Sequence, residues 1–341
     1  GQSRGGGGGW SGALPPAGAW YGGEGARRIA ENVLAYQHPN GGWPKNIDMA
    51  RPLSDEERAQ LPAQRETFET LIDNGATYTQ IRYLARVHAA TDDARLADAA
   101  SRGIQYVLDA QYPHGGWPMI YPLQRNYSAH VTFNDGAMIG VMALLRDIAR
   151  GESTFDFVND AVRQRAAQAI DRGLDVILKC QVVVDGRPTV WCAQHDARDF
   201  SPAKARTYEL PSLSGSESVE VVQYLMDIDD PSPEVRAAIE SAVAWVDAVR
   251  IEGWRLRRIP APGETPPFDY VVVEDDAAGP LWARFYEIGS NRPMFVGRDG
   301  VVRQRLDQIE HERRTRYAYL GGWARDLLQR DYPRWQSRWG S

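Results

Sequence analysis

The segment LADAASRGIQYVLDAQYPHGGWP, residues 96–118, carries the pattern on which most of the chain is built. Small and apolar side chains recur along it at helical spacing, at Leu96, Ala99, Ala100, Gly103, Ile104, Val107 and Leu108. Arg102 precedes Gln111 by nine residues, and a turn with two glycines and a Trp-Pro pair follows. The segment therefore predicts an amphipathic helix that ends in a tight loop.

The same pattern recurs along the chain. Arg28 and Gln37 stand nine residues apart, as do Arg172 and Gln181, and residues 235–249 form a fourth copy of the apolar stripe. A second apolar helix follows the first three copies, at residues 75–87, 136–148 and 216–228. The unit is a helix, a loop and a helix with a period of about 70 residues, and stacked hairpins of this kind form a solenoid or a toroid. We predict an all-α protein with one short strand at residues 269–274.

Composition and charge limit the function. The chain has 341 residues, of which 43% are hydrophobic and 25% charged, as in a soluble globular protein. The net charge of −6 argues against nucleic acid, and no apolar run is long enough to span a membrane. Residues 1–18 are rich in glycine and predict a flexible arm, and residues 19–341 predict a single domain because no linker-like stretch divides them.

Two copies of a glycine-rich loop follow the repeated helices, QHPNGGWP at residues 37–44 and QYPHGGWP at residues 111–118. Each tryptophan either fills the end of a helical hairpin or forms a platform on which a sugar ring stacks. Lys45 follows the first loop and is either a cation in a cleft or an ordinary solvated lysine.

A second pair of loops carries acidic side chains. IDNGAT at residues 72–77 and FNDGAM at residues 133–138 each place an Asp and an Asn directly before a helix. One interpretation is helix capping, in which these side chains accept hydrogen bonds from free backbone amides. The other is that Asp73 and Asp135 converge on a hard cation, since calcium prefers oxygen ligands.

The third loop, residues 188–218, is long and crowded with polar groups, which is typical of a functional loop. Cys192 lies in it, and Cys180 lies at the end of the preceding helix. These two cysteines form either a local disulfide or two free thiols.

Together these motifs resemble polysaccharide lyase family 10, the pectate lyases, over about residues 25–330. WCAQHD at residues 191–196 and ARTYELPS at residues 205–212 are the most specific of them. The resemblance implies an (α/α)3 toroid of helical hairpins, with long loops that form an open cleft. It also implies calcium-assisted anti β-elimination of polygalacturonate.

The resemblance also assigns the candidate site residues. Arg206 would be the base that removes the C5 proton, and Asp73 and Asp135 would hold calcium. Four residues would bind substrate: Asp73, Asn74, Lys45 and Arg292. Because an arginine base has a high pKa and needs nearby cations to release its proton, the activity should be highest at alkaline pH.

Several further expectations follow from this interpretation. The loops that carry Asp73, Asp135 and Arg206 should share one face, because equivalent loops of stacked hairpins do so. The protein should be a secreted monomer with polygalacturonate as its substrate and neither nucleic acid nor membrane as a partner. Two rival classes remain: a glycoside hydrolase that uses two carboxylates, and a polysaccharide-binding protein without activity.

Overall fold

The structure is a computed structural model that describes residues 9–12, 14–15 and 18–340. Its backbone contacts divide the chain into two compact units. The first unit comprises the described residues up to Val176, and the second begins at Ile177. Helices predominate, and most strands have only two residues, so the predicted all-α fold class is confirmed.

Helices make up most of the first unit. They are α1 Gly9–Gly12, α2 Glu24–Tyr36, α3 Asp55–Arg65, α4 Tyr78–Thr91, α5 Ala94–Ala110, α6 Ala137–Ala149 and α7 Asp160–Cys180, the last of which ends in the second unit. The only strand described here, β1, is Val131–Thr132. The predicted second helices correspond to α4 and α6. Helix α6 agrees to within one residue, whereas α4 begins later than predicted because Asp73–Gly75 forms a separate 3-10 turn.

The second unit combines helices with short antiparallel strand pairs. Its helices are α8 Glu217–Met226, α9 Pro233–Ala248, α10 His311–Arg316 and α11 Tyr332–Trp339. Its strands are β2 Val183–Val184, β3 Arg187–Pro188, β4 Gln194–His195, β5 Leu213–Ser214, β6 Trp254–Pro260, β7 Phe268–Glu274, β8 Trp282–Ala283, β9 Phe285–Tyr286, β10 Phe295–Val296, β11 Val302–Arg303 and β12 Leu320–Gly321. Strands β6 and β7 form the longest hairpin, and β7 contains the strand predicted at residues 269–274.

The tryptophans of the glycine-rich loops belong to the core. Trp43 and Trp117 are fully buried, and each indole N–H donates to a carbonyl ten residues earlier, at 2.7 Å for Val33 and 2.8 Å for Val107. These two side chains fill the ends of helical hairpins, so the alternative of sugar-stacking platforms is wrong for both. Trp282 repeats the arrangement by donating to the Val246 carbonyl at 2.8 Å.

The recurring glutamine and arginine side chains join successive hairpins of the first unit through hydrogen bonds. The Gln37 amide donates to the carbonyls of Gly41 at 3.0 Å and Ala99 at 2.8 Å, and it accepts from Arg102 at 2.7 Å. Gln111 and Arg172 repeat these bonds one hairpin later. Each glutamine thus ties its own loop to the next repeated helix.

A glycine in each loop permits this close approach. Gly41 and Gly115 have φ of 93° and 110°, and a Cβ atom would lie 2.3 Å from the Arg102 carbonyl oxygen and 2.2 Å from that of Arg172. Any side chain at either position would strain the backbone and push the neighbouring helix away.

The remaining sequence predictions meet the structure as follows. Most of the predicted arm at residues 1–18 lies outside the described residues, but Trp10 is buried and its ring lies 5.4 Å from that of Tyr83. The single catalytic domain at residues 19–341 stays a prediction. Cys180 and Cys192 are free and buried. In the part of the chain that is described, no helix is both long and apolar enough to cross a bilayer.

Candidate active site

Two 3-10 turns of the first unit, Asp73–Gly75 and Asn134–Gly136, bring the predicted carboxylates together. The amide nitrogen of Asn134 donates to Asp73 Oδ1 at 3.2 Å and to Asp135 Oδ2 at 3.0 Å. Both carboxylates therefore lie within hydrogen-bond reach of one nitrogen. We call Asp73, Asn74, Asn134 and Asp135 the acidic group.

The Asp and Asn residues exchange places between the two turns. Asn74 and Asp135 occupy the second position and have left-handed backbone, with φ of 52° and 49°. Short polar side chains tolerate this conformation better than most residues. Asp73 and Asn134 occupy the first position and are buried. The two aspartates are thus not equivalent, although both face the same space.

Helix capping does not explain the acidic group. The N-cap residue of α4 is Thr77 and that of α6 is Gly136, and neither helix receives a hydrogen bond from a side chain at its cap. The capping interpretation of the two loops is therefore wrong. Side chains of this type in buried turns need another reason to be there.

The acidic group offers oxygen ligands of the kind that a hard cation prefers. Asn74 Oδ1 is buried and has no hydrogen-bond partner among the described residues, and it is an oxygen of the type that calcium prefers. The described residues contain no group of three or more His, Cys, Asp or Glu side chains suited to a metal. Two carboxylates and amide oxygens fit calcium in kind, but its usual six to eight oxygens would have to be completed by water or substrate.

The negative charge of the acidic group affects two neighbouring side chains, Lys45 and Tyr78. Lys45 donates to Asp73 Oδ2 at 2.5 Å, so the predicted cleft cation is paired with a carboxylate in this structure. Burial, followed by the charges of Asp73 and Asp135, raises the pKa of the Tyr78 hydroxyl above its ordinary value. The lysine ammonium thus neutralises one oxygen of the Asp73 carboxylate.

The second unit holds the predicted base in a tight turn. Arg206 donates from Nε and Nη2 to the two oxygens of Glu209, at 2.8 Å and 2.6 Å, and its backbone N–H donates to Glu209 at 3.1 Å. The hydroxyl of Tyr317 donates to the same carboxylate at 2.9 Å. The Arg206 side chain is 42% exposed whereas that of Glu209 is 4% exposed, so the arginine presents one side to solvent.

This pairing opposes the loss of a proton from Arg206. Burial alone would lower the pKa of Arg206, but the hydrogen bonds and the charge of Glu209 outweigh it and raise the pKa above its ordinary value. Burial alone would raise the pKa of Glu209, and the same pair lowers it instead. A base at this position therefore needs this pair to weaken during the reaction.

Further arginines beside this turn make cation–π contacts with aromatic rings. The Arg206 guanidinium lies 4.9 Å from the Tyr208 ring centroid, and that of Arg313 lies 4.6 Å from it. Arg284 lies 4.6 Å from the Tyr317 ring and pairs with a buried glutamate, Glu217, at 2.5 Å. Several cations thus share two phenol rings, an arrangement that suits the binding of anions.

A family model described as pectic acid lyase matches residues 37–328. This chain belongs to the pectic acid lyase family. Accordingly it is a polysaccharide lyase, and the resemblance drawn from its loop motifs is confirmed.

Solved structures agree with this assignment. A mutant family 10 polysaccharide lyase from Cellvibrio cellulosa, in complex with trigalacturonic acid, is 32% identical over 95% of each chain, with a TM-score of 0.79. A second family 10 polysaccharide lyase structure from that organism is 34% identical, with a TM-score of 0.78, over 91% of this chain and 92% of its own. None of the curated proteins matches this lyase.

Arg292 and a further polar residue of the third loop, His195, have different surroundings in this lyase. The Arg292 side chain is 64% exposed and pairs with Glu287 at 3.1 Å, so a substrate carboxylate can reach it. His195 is buried, and both ring nitrogens are hydrogen-bonded to backbone groups, at 3.0 Å to Cys192 and 2.7 Å to Phe200. His195 is thus structural. The prediction that Asp73, Asp135 and Arg206 share one face stays a prediction.

Sequence reasoning missed several members of the site. Asn134 and Glu209 stand inside the quoted motifs but received no role, although the three-residue spacing of Arg206 and Glu209 is a signal for an ion pair. Tyr317 and Arg284 lie far along the chain from the residues they contact, and nothing local marks them.

Proposed function

We propose that this lyase is a calcium-dependent pectate lyase. It would cleave α-1,4-linked polygalacturonate by anti β-elimination and release 4,5-unsaturated oligogalacturonates. The observation that carries the proposal is the acidic group, in which the carboxylates of Asp73 and Asp135 meet at one amide in a member of the pectic acid lyase family. The trigalacturonic acid bound by the similar Cellvibrio cellulosa protein supports an oligogalacturonate as substrate.

The residues would divide the work as follows. Arg206 would take the proton from C5, and the exposed guanidinium of Arg292 would bind a substrate carboxylate. Lys45 and Asn74 would bind substrate beside Asp73, because Lys45 already presents its ammonium there and Asn74 has an unused oxygen. Asp73 and Asp135 would hold the cation.

The difficulty of the reaction explains this set of residues. Removing the C5 proton places negative charge next to a carboxylate that is already negative. Calcium, when bound, neutralises that carboxylate and stabilises the charge that develops beside it. The arginines around Tyr208 and Tyr317 would add positive potential on the side of the base, which favours the neutral form of Arg206 that accepts the C5 proton.

The rival hydrolase is less well supported. A glycosidase needs one carboxylic acid that donates a proton to the leaving oxygen. Asp73 accepts hydrogen bonds at both oxygens, from Lys45 and from Asn134, so it is poorly placed to donate. The proposed substrate of this lyase is a polymer, so we also propose that the protein is secreted. We further propose that it acts as a monomer.

Ultraviolet absorbance of digested polygalacturonate tests the function. Elimination creates a carbon–carbon double bond conjugated with the carboxyl group, so we expect absorbance to rise together with reducing ends. Reducing ends without absorbance would indicate a hydrolase. Binding without either signal would indicate a protein that holds the polymer but does not cut it.

A second prediction concerns the positioning residue Glu209. Because the carboxylate raises the pKa of Arg206, we expect Glu209→Gln to move the rising limb of the activity profile, where the base loses its proton, to lower pH. The maximum rate should also fall by about tenfold to a hundredfold, because the guanidinium loses its fixed orientation.

Glu209→Asp is the matched control for this prediction. It keeps the negative charge but is one methylene shorter and so displaces the guanidinium, and we therefore expect a lower rate with little change in the pH profile. An unchanged pH profile in Glu209→Gln would show that Arg206 does not titrate in the limiting step.

A further inference from the structure

A groove of about 730 Å³ lies within the second unit, beside the loop that carries Arg292. Its walls are the hairpin of β2 and β3, the last turns of α9, and the loop around residues 289–291. This volume is within the range of small-molecule sites. No role has been assigned to the groove so far.

The hairpin presents a charged side chain to the groove. Asp185 and Gly186 form its two-residue turn with φ of 49° and 76°, and Arg187 follows directly. Arg187 is exposed, and its guanidinium forms no ion pair or hydrogen bond with the residues that the structure describes. Most other arginines of this unit are paired with carboxylates, so Arg187 stands out as a cation available to a ligand.

The opposite wall is fixed in place and leads to Arg292. The buried indole of Trp245 donates to Asn291 Oδ1 at 3.0 Å, which holds the loop against α9. Asn291 has φ of 57°, and the next residue is Arg292. The hydroxyl of Ser241 on the same wall donates to the Ala237 carbonyl at 2.7 Å, and its oxygen suits a hydrogen bond from a sugar hydroxyl.

We propose that this groove is an outer subsite for polygalacturonate, in which Arg187 binds the carboxylate of a galacturonate unit beyond the one held at Arg292. The proposal rests on the proposed function, since it extends the same substrate. A polygalacturonate chain carries a carboxylate on every unit, and in a protein with a net charge of −6 each contact needs a local cation. Arg187 would supply that cation.

Oligomer length provides the test. Binding of trigalacturonate and hexagalacturonate is measured by calorimetry on the Arg206→Ala background, with and without Arg187→Ala. We expect Arg187→Ala to weaken binding of the hexamer by about tenfold, as for loss of one charged hydrogen bond, and to leave the trimer within about twofold. On the active enzyme, Arg187→Ala should raise KM for the polymer and leave kcat unchanged.

Two companion variants sharpen the test. Asp185→Asn removes a negative charge that lines the groove and suits the left-handed backbone, so we expect it to tighten hexamer binding. Arg165→Ala removes the same charge as Arg187→Ala from the exposed surface of α7 in the first unit, and it should change neither affinity.

The outcomes separate this subsite from the proposed function. Equal weakening of trimer and hexamer by Arg187→Ala, or no weakening, would overturn the subsite while cleavage of the polymer continued. If the wild-type protein neither bound these oligomers nor produced absorbance from polygalacturonate, both the subsite and the proposed function would be wrong.

Discussion

Cleavage of polygalacturonate is expected to stop when a chelator removes calcium, and to return when calcium is added in excess. The physical reason lies in the charges: a polyanion must approach two carboxylates in an acidic protein, and only a cation between them makes that approach favourable. The loss should exceed about a hundredfold, since both binding and charge stabilisation depend on the cation. Full activity in the chelator would contradict the proposal.

Direct measurement of calcium binding complements this assay. The acidic group offers only two carboxylates, and the described residues hold no larger group suited to a metal, so we expect calcium to bind weakly to the free protein and more tightly with trigalacturonate present. By thermodynamic linkage, calcium should then strengthen trigalacturonate binding by the same factor. Calorimetry on the Arg206→Ala variant measures both without turnover. An affinity for calcium that did not change with trigalacturonate would show that the metal and the substrate bind independently.

The variant Asp135→Asn tests whether Asp135 is responsible for the calcium dependence. Asparagine suits the left-handed backbone at this position, whereas alanine would add strain. We expect the calcium concentration for half-maximal activity to rise by more than about tenfold, because the site loses one negative ligand. Asp98→Asn, an exposed helix position with the same charge change, should leave it unaltered. Equal effects of the two variants would indicate a general field rather than a site.

The helices could be predicted because their information is local. The apolar stripe of residues 96–108 has the helical period, and α5 buries that stripe from Leu96 to Leu108. The glutamine and glycine of each loop marked its end, and their bonds to the next helix explain why the spacing repeats. The predicted start of α4 is wrong because the DNG sequence forms a turn of its own, in which Asn74 leaves the helical conformation.

The candidate site was only partly predictable, for a related reason. Its loops were found from their composition, but chain position alone could not show that Asn134 links the two carboxylates. The partner of Arg206 was three residues away and could have been proposed as an ion pair. Tyr317 contacts the same glutamate from 108 residues along the chain, and only the folded second unit brings it there. Contacts of that separation leave no periodic signal.

Arg206→Ala is expected to lower kcat by about three orders of magnitude or more, in the upper range for the loss of an acid or base. Binding of trigalacturonate, measured by calorimetry, should change by no more than about tenfold. This split follows if Arg206 acts on the C5 proton, because loss of a base slows the chemical step and spares the ground state. Circular dichroism must accompany the assay, since the variant leaves the buried Glu209 without its main partner.

The competing interpretation is that Arg206 clamps a substrate carboxylate, which is the commonest use of a guanidinium. Arg206→Lys separates the two roles. Lysine keeps a positive charge beside Glu209 and preserves the fold, but its single nitrogen cannot hold both carboxylate oxygens and face the substrate. We expect kcat to fall by about a hundredfold or more with little change in trigalacturonate affinity. Normal turnover of either variant at saturating substrate would make Arg206 a clamp. The base would then be sought at the exposed Lys204, because His195 has both ring nitrogens bound to backbone.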